Sequence, residues 1–340
     1  MPLCEQLQAL CAAPGVGGQK DIAEQAASMF RPLADEIGTD AVGNVIAWKR
    51  CDRADAPTVM LEAHMDEIGF VVTGIEENGF LRVAACGHAD LRMLSAAEVV
   101  VYGDRPYAGV FCSTPPHLSD EKSELPPLED MGIDVGLDHE QAAAHIPLGT
   151  RVGFRPHFSR LLGGRVCSKA LDDRAGVAAL LRCAEILQNE TLPCHLAIVL
   201  STAEELGCRG AGAAAFAVQP DTAIAVDVSF AYTPDAKRID CGELGGGPMI
   251  GYSPTLDHAV SVRLEELAKE QNLPFQREVM GERTGTDADV ITISRAGVTT
   301  GLVSIPLRYM HTPAEVVELA DIEHVAQLLA AFVREGGYTA

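Results

Sequence analysis

The sequence is poor in basic residues. Among 340 residues, 26 Lys and Arg face 48 Asp and Glu, a formal net charge of −22. Nucleic acid and anionic lipid both recruit positive surfaces, so neither is expected as a partner, and the acidity reads as a means of staying soluble. Uncharged apolar runs of about 18 residues are lacking, which excludes a spanning helix and any membrane role that needs one. The opening MPLCEQLQAL has no basic stretch and no long apolar core, so no signal peptide is read there. Ten cysteines are present but no C-x-x-C, and the closest pairs are Cys4/Cys11 and Cys183/Cys194. That spacing supports neither a zinc finger nor a disulfide framework. Cys167 and Cys183 sit in apolar segments, where Cys acts as a small hydrophobe, and reduced thiols in a cytoplasmic protein are expected. The glycine-rich ELGGGPMIG (243–251) lacks G-x-x-x-x-G-K-[ST] and reads as a flexible turn bordering the site rather than a phosphate loop. No G-x-S-x-G elbow exists to support Ser/His/Asp catalysis.

Hydrophobic residues make up 47% of the chain, enough to bury a large core shared by two domains. LCEQLQALCA and DIAEQAASMF carry apolar residues at helical spacing, the first helix stopped by Pro-Gly. TVMLEAHMD (58–66) is a continuous apolar run suited to a strand buried on both faces. Over 67–159 the texture changes to short alternating segments (FVVTGI, GFLRVAA, AEVVVYG, YAGVFC, TRVGFRP) separated by turn clusters, the pattern of a small β-barrel or sandwich. Within it SDEKSELPPLED is a polar, Pro-containing loop. After Lys169 strands and helices alternate. DDRAGVAALLRCAEILQNE is expected as an amphipathic helix, LAIVLSTA and TAIAVDVSF as strands, and GTDADVITISRAG as a helix. The fold class expected is α/β, a doubly wound and mainly parallel sheet with helices on both faces. Residues 1–66 and 160–340 would form one discontinuous catalytic domain, with 67–159 inserted as a small β-barrel-like domain.

Five positions of metal-ligand type, one of them a pair of adjacent glutamates, stand at the ends of these elements. In open α/β sheets, ligands bind beyond the carboxyl ends of the strands. His64 closes its apolar run, Glu204 and Glu205 follow LAIVLSTA, and Asp227 ends TAIAVD, inside a stretch where an unpartnered charge would be costly. Asp172 opens a helix, where it is either an N-cap or a ligand. His311 follows TTGLVSIPLRYM on a loop before Pro313. Asp66, two residues past His64, can supply the carboxylate that fixes a ligand histidine's tautomer. Of the adjacent glutamates, one can ligate while the other faces a reacting water. Two imidazoles and several carboxylates suit a pair of borderline divalent ions, Zn²⁺ or Co²⁺, and hence a hydrolase.

EAHMDEIGF, KALDDRAGVAAL, TAEELGCRGA, VDVS and PLRYMHTPAEVV resemble, in order and across nearly the whole chain, the signature blocks of the tetrahedral (TET-type) dinuclear metallo-aminopeptidases of glutamyl and deblocking type. The resemblance implies that His64, Asp172, Glu205, Asp227 and His311 hold two divalent ions, with Asp172 bridging. It makes Glu204 the general base toward water and then the acid toward the departing amine, and Asp66 the group orienting His64. It implies hydrolysis of the N-terminal peptide bond of short peptides, and homo-oligomers in which dimers, formed through the inserted segment 67–159 as dimerisation domain, assemble to a dodecamer.

A metal-dependent amidohydrolase acting on N-acyl amino acids or peptides is the alternative activity, and a non-catalytic assembly protein a weaker one. A glycosidase would work with paired carboxylates and no metal, which the two histidines oppose. Cys208 is either oxidation- and metal-sensitive or buried and inert. Arg308 is either an anionic contact or a structural salt bridge, and His117 is assigned at most to assembly. The other histidines show no ligand-like context, and no sequence feature names the preferred N-terminal residue.

Overall fold

The computed structural model describes residues 1–114, 116–118 and 126–338. STPPHL and SDEKSELPPLED lie partly outside them. Helices α1 (Leu3–Ala12) and α2 (Lys20–Phe30) lead into strands β1 (Glu36–Thr39), β2 (Val45–Lys49) and β3 (Thr58–His64). The chain then forms β4 (Gly69–Ile75), β5 (Leu81–Cys86), β6 (Glu98–Tyr102), β7 (Pro106–Phe111), β8 (Gly132–Asp134), α3 (His139–His145) and β9 (Arg151–Phe154). Two short strands, β10 (Ser159–Arg160) and β11 (Arg165–Ser168), precede α4 (Leu171–Leu187), β12 (His195–Ser201), α5 (Arg209–Val218) and β13 (Thr222–Phe230). The last third holds β14 (Met249–Tyr252), α6 (His258–Glu270), β15 (Gln276–Val279), α7 (Ala288–Thr292), β16 (Thr299–Leu307), β17 (Glu315–Glu318) and α8 (Leu319–Arg334).

The central sheet has the order β1-β2-β12-β3-β13-β16-β14-β15. Its middle, β12-β3-β13-β16, is parallel, as is the β14–β15 pair, while β1–β2, β2–β12 and β14–β16 are antiparallel. The parallel strands are covered on both faces, which is why β3, β12 and β16 are nearly continuous runs of buried residues. The α/β class expected from the alternation is the one observed.

Between β3 and β10 the alternating segments close into a barrel, β4-β5-β8-β7-β6-β9, so the barrel is realised rather than the sandwich. It has its own core, in which Phe70 meets Phe111 and Phe154 edge-on with ring centroids 5.0 and 5.8 Å away. Losing a fully buried ring of this kind costs about 3–5 kcal/mol, so Phe70→Ala would open the barrel's centre.

Two helices depart from their expected form. Helix α4 is buried on almost every face against α1, α8 and the sheet, so its Ala and Gly content serves close packing rather than an amphipathic stripe. GTDADVITISRAG yields only the five-residue α7, because Thr284, Gly285 and Thr286 form a loop pinned by Asp289, whose carboxylate accepts the Thr284 and Gly285 N–H groups at 3.0 Å. The ELGGGP turn is also held. Asp321 accepts the N–H groups of Gly245 and Gly247 at 2.8 Å, so the turn is anchored rather than flexible.

All ten cysteines are unpaired. Burial pushes the Cys11, Cys183 and Cys194 thiols up to about 12, which makes them inert packing groups.

Candidate metal centre and active site

The pairing of β3 with β13 stops at Glu62 opposite Ala225, while β13 continues beside β16 to Phe230. Asp227 therefore lies inside a strand rather than at its end. It still faces a crevice, because its neighbour on one side has run out. His64, the last residue of β3, and the loop after β12 that carries Glu204 and Glu205 border the same crevice.

All five expected ligands converge there. His64 Nε2 lies 3.0 Å from Asp172 Oδ1 and 3.9 Å from Asp227 Oδ1. His311 Nε2 lies 3.4 Å from Asp172 Oδ2 and 3.5 Å from Glu205 Oε1. Asp172 thus offers one oxygen to each of two groups, His64/Asp172/Asp227 and Asp172/Glu205/His311, whose ligand atoms lie within 4.8 Å of one another. Asp172 is free to do this because the helix cap is its neighbour. Asp173 Oδ1 accepts the Gly176 N–H at 2.9 Å, and Asp172 keeps non-helical angles (φ −80°, ψ 107°).

Asp66 organises the other side. Its Oδ1 accepts the Glu204 N–H at 3.0 Å and lies 3.5 Å from His64 Nδ1, and its Oδ2 accepts the Glu205 N–H at 3.3 Å. Glu315, to which the sequence assigned no role, does the same for Asp172 and His311. Its Oε1 accepts the His311 N–H at 2.9 Å and its Oε2 the Asp172 N–H at 3.1 Å. His311 needs that hold because it sits in the left-handed region (φ 61°), which costs a non-glycine residue about 1–3 kcal/mol.

The electrostatics suit cations. Burial, then the Asp172 charge, pushes Glu205 up to about 10. Burial likewise carries Asp227 well above the carboxylate range. Asp172 goes the other way: burial is outweighed by its contacts with His311 and His64, and its carboxyl is held below the usual range. Burial works against protonation of His64, but Asp172 and Asp66 raise it well above the usual imidazole value. Glu205 Oε1 is buried with no hydrogen-bond partner. So many carboxylates crowded together ionise readily only with positive charge among them, and two imidazoles with three carboxylates are a donor set for divalent ions. The residues present fit the implied metals.

A third group includes Glu204, the expected base. The Cys208 Sγ donates to Glu204 Oε1 at 3.3 Å, and Asp287 joins these two within 4.8 Å. Burial and the Asp287 and Glu204 charges push the thiol far up, so Cys208 acts as a hydrogen-bond donor to Glu204 rather than as a nucleophile. Asp287, hidden in the sequence by the expected helix, accepts from Ser201 Oγ at 2.7 Å. Burial raises Glu204 above the usual carboxylate value, a shift that would suit a group exchanging a proton near neutrality.

Arg308 Nε donates to the Tyr232 carbonyl at 2.8 Å, and among the described residues it forms no salt bridge. His117 is exposed at a single 3-10 turn, Pro116–Leu118. His88, passed over in the sequence, lines the cleft from the barrel side. There Gly87 (φ +80°) packs so closely that a Cβ would come within 3.0 Å of Glu205 Oε2. The cleft holds about 850 Å³, and its far wall includes Ser229, Ser304 and Glu278.

Comparison with known proteins agrees with this geometry. The lysyl aminopeptidase of Pyrococcus furiosus is 35% identical over 341 residues, covering 97% of this chain and 96% of the relative. An aminopeptidase from the archaeon Desulfurococcus kamchatkensis superposes with a TM-score of 0.92 at 32% identity, over 98% of this chain and 94% of the other. The TET1 peptidase of Pyrococcus horikoshii, which can assemble into a tetrahedron or a large octahedral shell, does so with a TM-score of 0.87 at 30% identity, over 98% and 100%. The profile of one peptidase family matches residues 43–328, and on that match the chain belongs to the M42 glutamyl aminopeptidase family.

Proposed function

We propose that this aminopeptidase removes the N-terminal residue of short peptides at a two-metal centre held by His64, Asp172, Glu205, Asp227 and His311. The observation that carries the reading is the division of Asp172, one oxygen toward His64 and the other toward His311. Two divalent ions, zinc or cobalt, would supply Lewis acidity toward the scissile carbonyl and a water. Glu204, raised by burial, takes the proton from the attacking water and returns it to the departing amine. Asp66 holds Glu204 and Glu205 by their backbone and orients His64, while Cys208 donates to one oxygen of the base. The carboxylates around the centre give a free α-amine a place to dock, which restricts cleavage to the chain end.

Residues 1–66 and 160–340 form the catalytic unit in this reading, and 67–159 the dimerisation unit, the dimers in turn assembling into a dodecamer. The shells described for the Pyrococcus horikoshii relative support that assembly. Among the described residues no helix is long and apolar enough to cross a membrane, in keeping with a cytoplasmic site of action.

The test is a panel of aminoacyl and N-acyl substrates assayed after chelation and again after Zn²⁺ or Co²⁺ add-back. Release confined to free-amine substrates and restored by metal supports the reading. Release from N-acyl substrates supports the amidohydrolase instead.

A further inference from the structure

We propose that Glu278 selects the N-terminal side chain of the substrate, and that the side chain it selects is basic, a lysine or an arginine. The proposal rests on the aminopeptidase reading and names the substrate class of the same cleft.

Glu278 belongs to β15, the edge strand of the central sheet, yet its carboxylate reaches inward to β13 and β16. Ser304 Oγ donates to its Oε2 at 2.7 Å, and Ser229 Oγ donates to its Oε1. Both serines are keyed to Asp227. Ser229 stands two residues further along β13 and so faces the same side, and Ser304 is the partner of Asp227 on β16. Two residues of strand span about 6.6 Å. The carboxylate thus lies between the level of Asp227 and that of Ser229, on the face that Asp227 presents, within reach of an ammonium on a four-carbon stem whose own backbone nitrogen lies at the ligand cluster.

The charge at this position is incompletely answered. A carboxylate has about four lone-pair sites, and the serines fill two of them. Among the described residues no Lys, Arg or His forms an ion pair with Glu278. Its sequence neighbour Arg277 is engaged by both oxygens of Glu265, at 2.6 and 2.7 Å. Burial raises the Glu278 carboxyl, so an arriving cation favours the ionised form that it then pairs with. The opposing feature of the cleft is Arg283, an exposed cation on its wall that would favour an acidic residue.

The experiment compares kcat/KM on lysyl, arginyl, leucyl and glutamyl anilides for the metal-loaded enzyme and its Glu278→Gln variant. Removing a buried charge-assisted hydrogen bond is expected to lower the lysyl-to-leucyl ratio about 10- to 100-fold. A ratio is read because general damage to the site lowers both substrates together. A second measurement uses the unaltered enzyme: L-lysine should inhibit leucyl hydrolysis more tightly than L-norleucine, which has the same stem without the ammonium. An unchanged ratio, or equal inhibition by the two amino acids, overturns the proposal. So does a preference for glutamyl substrates that Arg283→Ala abolishes. An enzyme that releases nothing from any free-amine substrate overturns both this proposal and the aminopeptidase reading beneath it.

Discussion

Asp66 accepts the backbone N–H of Glu204 at 3.0 Å through the same oxygen that lies 3.5 Å from His64 Nδ1. One carboxylate therefore holds the Glu204 backbone and stands beside the His64 ring, where it would orient the proposed ligand and place the proposed base, and its other oxygen holds the Glu205 backbone. Asp66→Asn keeps the size but offers an N–H where an acceptor is needed. Outer partners of metal ligands are worth about 10- to 100-fold in metal affinity or activity. Here the expected loss appears in both quantities, measured as bound metal against free Zn²⁺ and as turnover at saturating metal. A variant normal in both would remove Asp66 from this role.

Glu204 is expected to separate the two quantities. Glu204→Gln leaves every ligand in place, so metal content by elemental analysis should match wild type. General acid–base assistance is worth about 10²–10⁴-fold, and turnover should fall by that much. Near-normal turnover would transfer the proton-transfer role to another group.

Glu315 fastens Asp172 and His311 by their backbone N–H groups from the far side of the centre. Glu315→Ala frees both loops while touching no ligand side chain. The expected result is about a 10- to 100-fold weaker metal binding, with activity restored at high metal concentration. Unaltered affinity would mean that neighbouring packing alone holds His311.

A buried ion network joins the N-terminal helices to the same centre. Lys169 Nζ lies 2.5 Å from Glu67 Oε2, Arg174 lies 3.7 Å from Glu67 Oε1, and the Gly15 N–H donates to that oxygen at 3.0 Å. Arg174 also donates to the Leu10 carbonyl at 2.6 Å. Breaking a buried pair costs about 3–5 kcal/mol because the surviving charge is left uncompensated. Glu67→Gln strands two cations, whereas Lys169→Met leaves Glu67 with Arg174. Chemical unfolding should therefore show the glutamate change to be the more damaging. The reverse order would contradict the network.

How much of this was legible in the sequence follows from where each residue gets its partner. His64, Glu204, Glu205 and Asp227 were readable because each places a polar group within or just after a buried apolar run, where only a partner or a metal justifies it. The alternation over 67–159 was enough to expect a barrel or a sandwich, but closure depends on β4 pairing β9 across some eighty residues, which no local pattern reveals. Asp172 and Asp173 are identical in type, and only the backbone decides which caps the helix. Glu315 and Glu278 sit in short strands of mixed character, EVVE and QREV, that read like any exposed edge. Their roles come from residues over one hundred or about fifty positions away, Asp172 and Ser229, and exist only in the folded sheet.

The most direct test of the central claim, that two cations share Asp172, is a joint measurement of bound metal and turnover. Thoroughly chelated protein receives Zn²⁺ in steps, and both quantities are followed to saturation. The account predicts no turnover without metal and full turnover at two ions per chain, with Asp172→Asn unable to retain the pair. Turnover that survives chelation, or full turnover at one ion per chain, would contradict it.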